Sequence, residues 1–112
     1  MFELFIRILA VLLLVGAGLH AWGSTIAFKP RTPERAWSLG SAAFATFLAA
    51  LAWLLAGRHD HVLNWLLAGG CAAWVLTVGA FGLAIGKMTD PRVLYHLIVA
   101  AALGSVAVLA GT

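Results

Sequence analysis

The chain has 112 residues, which is enough for one domain spanning residues 1–112. Hydrophobic residues make up 63% of it and charged residues 10%, whereas a soluble domain carries about a quarter charged residues. A chain this small has too much surface to be so apolar in water, so the composition excludes a soluble globular protein. The net charge of +3 comes from basic residues at the ends of apolar runs. We therefore expect a lipid bilayer, and not a nucleic acid, as the partner.

Apolar runs predict the secondary structure. They cover roughly residues 4–26, 36–56, 62–85 and 91–110. A helix needs about 20 residues to cross the ~30 Å hydrocarbon layer, and each run is close to that length. No run alternates apolar and polar residues as a barrel strand does. The sequence therefore predicts an all-α integral membrane four-helix bundle.

The breaks between the runs carry helix-ending signals. Residues 29–35 contain two prolines and four charges, and residues 57–60 form a polar turn in which Asp60 can cap the third helix. Asp90 followed by Pro91 is a strong helix start. Such short loops force neighbouring helices to run antiparallel, which predicts an up-down topology.

Basic residues predict the orientation. Loops 27–35 and 86–91, with the first turn after them, hold most of the basic residues: Lys29, Arg31, Arg35, Lys87 and Arg92. The positive-inside rule places these loops in the cytoplasm and both termini outside. Together with the compact loops, this bias predicts a bacterial inner membrane. In the alternative, the first run is a secretory signal peptide, but it is long for one and no clean A-x-A cleavage site follows.

Small residues at helical spacing predict the packing faces, because they let helix backbones approach in lipid. On the third run the predicted face comprises Asn64, Ala68, Cys71, Ala72, Val75, Gly79, Gly82 and Gly86. On the second run it comprises Ser41, Ala45, Ala49, Ala52 and Ala56. We expect these two faces to pack on each other within the bundle. In the alternative, one of them binds a second copy of the chain.

Two histidines are the candidate cofactor-binding residues. His20 lies about two turns before the first cytoplasmic loop and His96 about two turns after the third, so both reach a similar depth. Two neutral imidazoles facing each other across a bundle can ligate a haem iron or bind a quinone carbonyl. The alternative is that each one hydrogen-bonds a backbone carbonyl or a neighbouring helix. The H-x-H of His59 and His61 is interpreted as a solvated turn, so no metal site is predicted.

Motifs for catalysis are missing, since the chain has no H-E-x-x-H, Walker loop, G-x-S-x-G or C-x-x-C. No catalytic residue is predicted. The length and four-helix layout are similar to the small multidrug resistance transporters, whose first helix carries a membrane-embedded glutamate. The acidic residue nearest the first run here is Glu3, at its very end, so that family is rejected.

The sequence favours a non-enzymatic accessory or assembly subunit that acts through helix packing, as a homo-oligomer or within a larger membrane complex. The first alternative is a redox protein that binds haem or quinone through His20 and His96. The second alternative is a small-solute transporter or lipid-binding protein.

Overall fold

The computed structural model describes residues 2–112, which form four α-helices: α1 (Phe2–Ala27), α2 (Pro33–Leu55), α3 (His61–Ala84) and α4 (Pro91–Gly111). All four are long and apolar enough to cross a membrane. No strand occurs among the described residues. The predicted all-α four-helix membrane bundle is confirmed, and the chain is an integral membrane protein.

Side-chain caps fix the starts of α2 and α3. The hydroxyl of Thr32 accepts a hydrogen bond from the backbone N–H of Arg35 at 3.3 Å, and Asp60 Oδ1 accepts one from Leu63 at 3.0 Å. Both caps satisfy N–H groups that a helix leaves unpaired at its start. Helix α2 begins three residues before the predicted residue 36 because Pro33 occupies its first turn, where no backbone N–H is required.

A glycine ends α3. Gly86 has φ +67° and donates its N–H to the Leu83 carbonyl at 3.1 Å, while Lys87 donates to the Gly82 carbonyl at 3.0 Å. This pair of bonds is the Schellman arrangement, which needs a left-handed residue after the helix. Gly86 is exposed, and no heavy atom beyond its local backbone lies within 4 Å of the Cβ position. It therefore terminates the helix and lies outside the packing face that the sequence assigned to it.

The helices form two close pairs. Helix α1 packs mainly against α2, and α3 packs mainly against α4. Contacts between α1 and α4 join the two pairs, whereas α2 and α3 touch least. Where they do meet, the Leu48 side chain of α2 lies directly against Gly70 of α3. The bundle is thus two helical hairpins held together chiefly along α1 and α4.

Large apolar side chains cover the outside of the bundle. Leu76 and Leu83 on α3 are 75% and 73% exposed, and α1 exposes such residues along its whole length, from Leu4 to Ile26. Contiguous apolar surface of this extent is rare on soluble monomers. In this chain it is the surface that contacts lipid.

Replacing Gly86 with alanine is expected to lower the free energy of unfolding by about 1–2 kcal/mol, because a Cβ disfavours the left-handed backbone. Gly79→Ala is the matched control. It lies inside α3 with open space at the Cβ position, so it is expected to raise stability by about 0.5–1 kcal/mol. Denaturant titration in mixed micelles measures both. Equal effects of the two substitutions would contradict the assigned role of Gly86.

The cap of α4 is expected to give a stability term that depends on pH. Arg92 donates to both carboxylate oxygens of Asp90, at 3.0 Å and 2.9 Å, and these bonds lower the pKa of Asp90 from 3.8 to about 2. A lowered folded-state pKa stabilises the fold above the unfolded value and is lost as the pH falls through the folded value. Wild-type protein should therefore exceed Asp90→Asn in stability above pH ~4, and the difference should shrink towards pH ~2. Unfolding curves measured across this range test it, and a constant difference would refute it.

Candidate functional site

The small-residue face of α3 lies against α4. A Cβ built on Gly104 would be 3.1 Å from Cys71 Cβ, and one built on Gly111 would be 3.3 Å from Asn64 Cβ. These distances show that glycines on α4 let the two backbones approach closely along the first half of α3. The expectation that this face would meet α2 is not what the structure shows, because α2 and α3 touch least.

The individual residues of the two faces differ in burial. On α3, Asn64 and Gly82 are buried, Ala68 and Gly79 are half-buried, and Ala72 is exposed. On α2, Ala45 and Ala49 are buried and Ser41 is half-buried. The inner faces also contain large side chains, such as Leu67 and Leu48. Small residues alone therefore did not mark the inward direction of α3.

His20 and His96 come together inside the bundle. Their ring centroids are 6.3 Å apart with an interplanar angle of 79°. His20 comes from α1 and is half-buried, whereas His96 comes from α4 and is buried. Both lie about two turns from the end of the bundle that carries the first and third loops.

Trp74 completes this cluster, and the sequence analysis missed it. Its side chain is 2% exposed. Its indole N–H donates to His96 Nδ1 at 3.2 Å, and Phe44 of α2 lies 6.0 Å from its ring. Tryptophan in a membrane protein usually lies at the interface, and a buried indole N–H needs an acceptor. Trp74 lies near the middle of the third apolar run, whereas the other tryptophans flank the loops. Its position in the sequence could therefore have indicated that it has a polar partner inside the bundle.

The hydrogen bond from Trp74 determines the tautomer of His96. An indole nitrogen can only donate, so Nδ1 of His96 must carry a lone pair. The neutral ring then has its proton on Nε2. Nε2 points at α1, where a Cβ built on Gly16 would lie 3.2 Å from it. His96 therefore presents a donor, and not a lone pair, to α1.

A second hydrogen-bonded group ties α1 to α2. Ser24 donates its hydroxyl proton to the His20 carbonyl at 2.7 Å, and its oxygen lies 2.5 Å from Ser38 Oγ. Since the proton of Ser24 is already used, Ser38 is the donor in that short pair. Ser38 Oγ must then accept from His20 Nε2, which lies 3.3 Å away. The His20 proton therefore lies on Nε2, and Nδ1 of His20 takes no part in these hydrogen bonds.

Glycine at position 16 makes the close contact between α1 and α4 possible. A Cβ there would lie 2.8 Å from His96 Cε1 and 2.7 Å from Tyr95 Cε1. The Tyr95 hydroxyl donates to the Leu12 carbonyl at 2.6 Å, one turn earlier on α1. Gly16 therefore lets two rings of α4 rest directly on the α1 backbone.

These protonation states bear on which ligand the cluster would suit. Haem iron needs an imidazole lone pair. His96 has none free, because its Nδ1 accepts from Trp74 and its Nε2 carries the proton, so Nδ1 of His20 is the one histidine nitrogen of the cluster that could ligate iron. A carbonyl oxygen, as in a quinone, could instead accept from the Nε2–H. Among residues 2–112, no group of three or more His, Cys, Asp or Glu side chains is placed to hold a metal ion.

Comparison with protein-family models, with curated proteins and with solved structures finds no match to this chain.

Substituting Gly16 with alanine is expected to destabilise the bundle by about 1–3 kcal/mol, because the added methyl group overlaps the rings of Tyr95 and His96. Gly18→Ala is the matched control, since its Cβ position on the same helix is open. Gly18→Ala should leave stability unchanged or raise it slightly. Unfolding in mixed micelles gives both values, and equal stabilities of the two variants would rule out the tight contact.

Proposed function

We propose that this chain is a non-enzymatic accessory or assembly subunit that binds a second copy or a larger membrane partner through the outward sides of α2 and α3. The observation that carries the proposal is a set of small residues exposed to the membrane on these two helices. We call this set the outer small face, and it consists of Gly40, Ala43, Ala50, Gly69, Ala73 and Ala80.

The outer small face is interleaved with large exposed side chains of the same helices, such as Phe47 and Leu76, and its small residues leave gaps between them. Along α1 the outward positions are mostly large, as at Leu4, Ile8 and Leu19. At Gly40 and Gly69, by contrast, no heavy atom of another residue approaches the Cβ position within 4 Å, apart from the adjacent backbone. Lipid chains gain little from small residues, whereas a partner helix gains close backbone contact. The gaps at Gly40 and Gly69 support α2 and α3 as the side that receives another helix.

The interior also supports a structural role. The buried polar side chains bond largely to one another: Trp74 to His96, and Ser24 and Ser38 to His20. Groups paired in this way stabilise one arrangement of the helices. What the chain can offer another molecule is then mainly its surface.

The test introduces bulk on the outer small face. Gly40→Leu and Gly69→Leu place large side chains where a partner backbone would approach, and both positions have room for them in the isolated bundle. Gly18→Leu makes the same change on the outward side of α1 and serves as the matched control. Each variant is extracted in native lipid, and its mass and copurifying proteins are measured by native mass spectrometry.

Wild-type protein and Gly18→Leu should purify as a stoichiometric oligomer or with a stoichiometric partner. Gly40→Leu and Gly69→Leu should lose that association while keeping wild-type helix content by circular dichroism. A wild-type protein that is monomeric and alone in native lipid would refute the proposal. Loss of association in Gly18→Leu as well would show that the outer small face is not the site.

For the cellular location, we propose a bacterial inner membrane with loops 27–35 and 86–91 in the cytoplasm. The basic residues Lys29, Arg31, Arg35 and Lys87 support this orientation. Arg58 is the basic residue of the loop at the opposite end.

The second candidate function is a redox protein with a quinone held at His20 and His96. The 6.3 Å separation of the two rings, beside Trp74 and Phe44, favours it. The donor on His96 Nε2 makes quinone a better fit than haem. The test is an absorption spectrum of gently purified protein together with a quinone assay of its lipid extract. Quinone that is retained by the wild type and lost in His96→Phe would support this function, whereas a colourless, quinone-free protein would remove it.

Ion-coupled transport has less support. All acidic residues of the chain lie at or beyond helix ends: Glu3, Glu34, Asp60 and Asp90. None of them is placed at mid-membrane to couple a proton or a cation to a solute.

A further inference from the structure

A recess opens at the end of the bundle opposite the basic loops. The start of α1, the loop between α2 and α3, and the end of α4 enclose a volume of about 380 Å³. The lining residues are Phe2, Glu3, Ile6, Leu55, Gly57, Arg58, His59, Leu109 and Ala110. This volume falls within the ~300–1,000 Å³ typical of small-ligand sites.

The recess combines an apolar wall with two opposite charges. Phe2, Ile6, Leu55 and Leu109 supply the apolar part. Its level is that of the membrane interface, since Trp53 and Trp65 flank the same loop. A ligand that fits this environment has a charged end and a hydrocarbon end.

Glu3 offers a carboxylate oxygen to the recess. Its Oε1 accepts from Arg7 at 3.3 Å, which leaves Oε2 without a hydrogen bond from Arg7. Both oxygens lie beside Gly57, where a Cβ would be 2.9 Å from Oε2 and 3.1 Å from Oε1. Gly57 has φ +78°, so this loop position favours glycine twice over: for its backbone conformation and for the space that the carboxylate occupies. The Arg7 guanidinium lies 4.6 Å from the Trp53 ring centroid and is therefore engaged on both sides.

Arg58 is the cation that remains available. Within residues 2–112, the arginines in ion pairs with carboxylates are Arg7 and Arg92. Arg58 is exposed and lines the recess without such a pair. Its guanidinium can bind a phosphate through paired N–H donors.

We propose that this recess binds the headgroup of a phospholipid carrying a primary ammonium, as in phosphatidylethanolamine. The phosphate binds Arg58, the ammonium donates to Glu3, and an acyl chain lies along the apolar wall. This site is independent of the outer small face on α2 and α3, so either proposal can fail without the other.

The proposal is specific for a primary ammonium. A carboxylate accepts N–H hydrogen bonds, which a trimethylated choline group cannot donate. Choline is instead recognised by cages of aromatic faces, and Phe2 is the one aromatic side chain in the lining of this recess. An anionic headgroup such as phosphatidylglycerol would bring no cation to Glu3.

The experiment is native mass spectrometry of the full chain, with phosphatidylethanolamine, phosphatidylcholine and phosphatidylglycerol titrated in turn. Wild-type protein should bind phosphatidylethanolamine about tenfold more tightly than phosphatidylcholine, the size expected for one charge-assisted hydrogen bond. Arg58→Gln should weaken both by about tenfold. Glu3→Ala removes the side-chain acceptor and should abolish the difference between them.

Two matched controls separate this site from general charge effects. Arg7→Gln removes the partner of Glu3 but keeps its carboxylate, so the preference for phosphatidylethanolamine should survive. Lys29→Gln removes a cation at the opposite end and should change nothing. Soluble phosphoethanolamine distinguishes a free headgroup from a lipid. Competition by it at concentrations similar to those of the lipid would contradict the role of the apolar wall. Equal binding of all three lipids by wild-type protein would overturn the proposal.

Discussion

The hydrogen bond from Trp74 to His96 holds the interior of this bundle in one arrangement. No water reaches the hydrocarbon layer, so an indole N–H or an imidazole without a partner there would cost several kcal/mol. The bond joins α3 to α4, and the His96 ring then rests on α1 at Gly16. From α1, His20 reaches Ser38 on α2. Two hydrogen bonds and the packing of His96 on Gly16 therefore connect all four helices and fix their rotation, which apolar packing in lipid specifies weakly.

The fold was predictable from the sequence because its determinants are local. The apolar runs have the length that a bilayer requires, and Asp60 and Asp90 cap the helices that follow them. Rotation about the helix axes is different, since it depends on which residues of other helices are nearby. The positions of His20 and His96 in their apolar runs predicted a similar depth, but they could not show that the two rings meet or that Trp74 lies between α3 and α4. For the same reason, the small-residue face of α3 was expected to pack on α2, whereas in the structure the glycines of α4 pack against it.

The interior and the surface of the bundle differ in the kind of side chain they contain. Inside, Trp74 is paired with His96 and Ser38 with His20, and Asn64 Oδ1 is the fully buried side-chain oxygen or nitrogen without a partner in the described part of the chain. Outside, most of the surface is large and apolar, with small residues on α2 and α3 and a charged recess beside Arg58. The proposals of helix binding and lipid binding both place the molecular recognition on this outer surface. The quinone alternative would require the interior contacts to open.

The weak contact between α2 and α3 also implies an order of helix packing during biosynthesis. Each close pair of helices consists of sequence neighbours, so α1 and α2 can pack as soon as both have entered the membrane, before α3 has been translated. The α3–α4 hairpin then docks along α1, with His96 meeting Gly16 as the two units close. Polar groups from separate hairpins are paired only in this last step. The Tyr95 hydroxyl of α4, for example, reaches its acceptor, the Leu12 carbonyl of α1, only when the two hairpins dock.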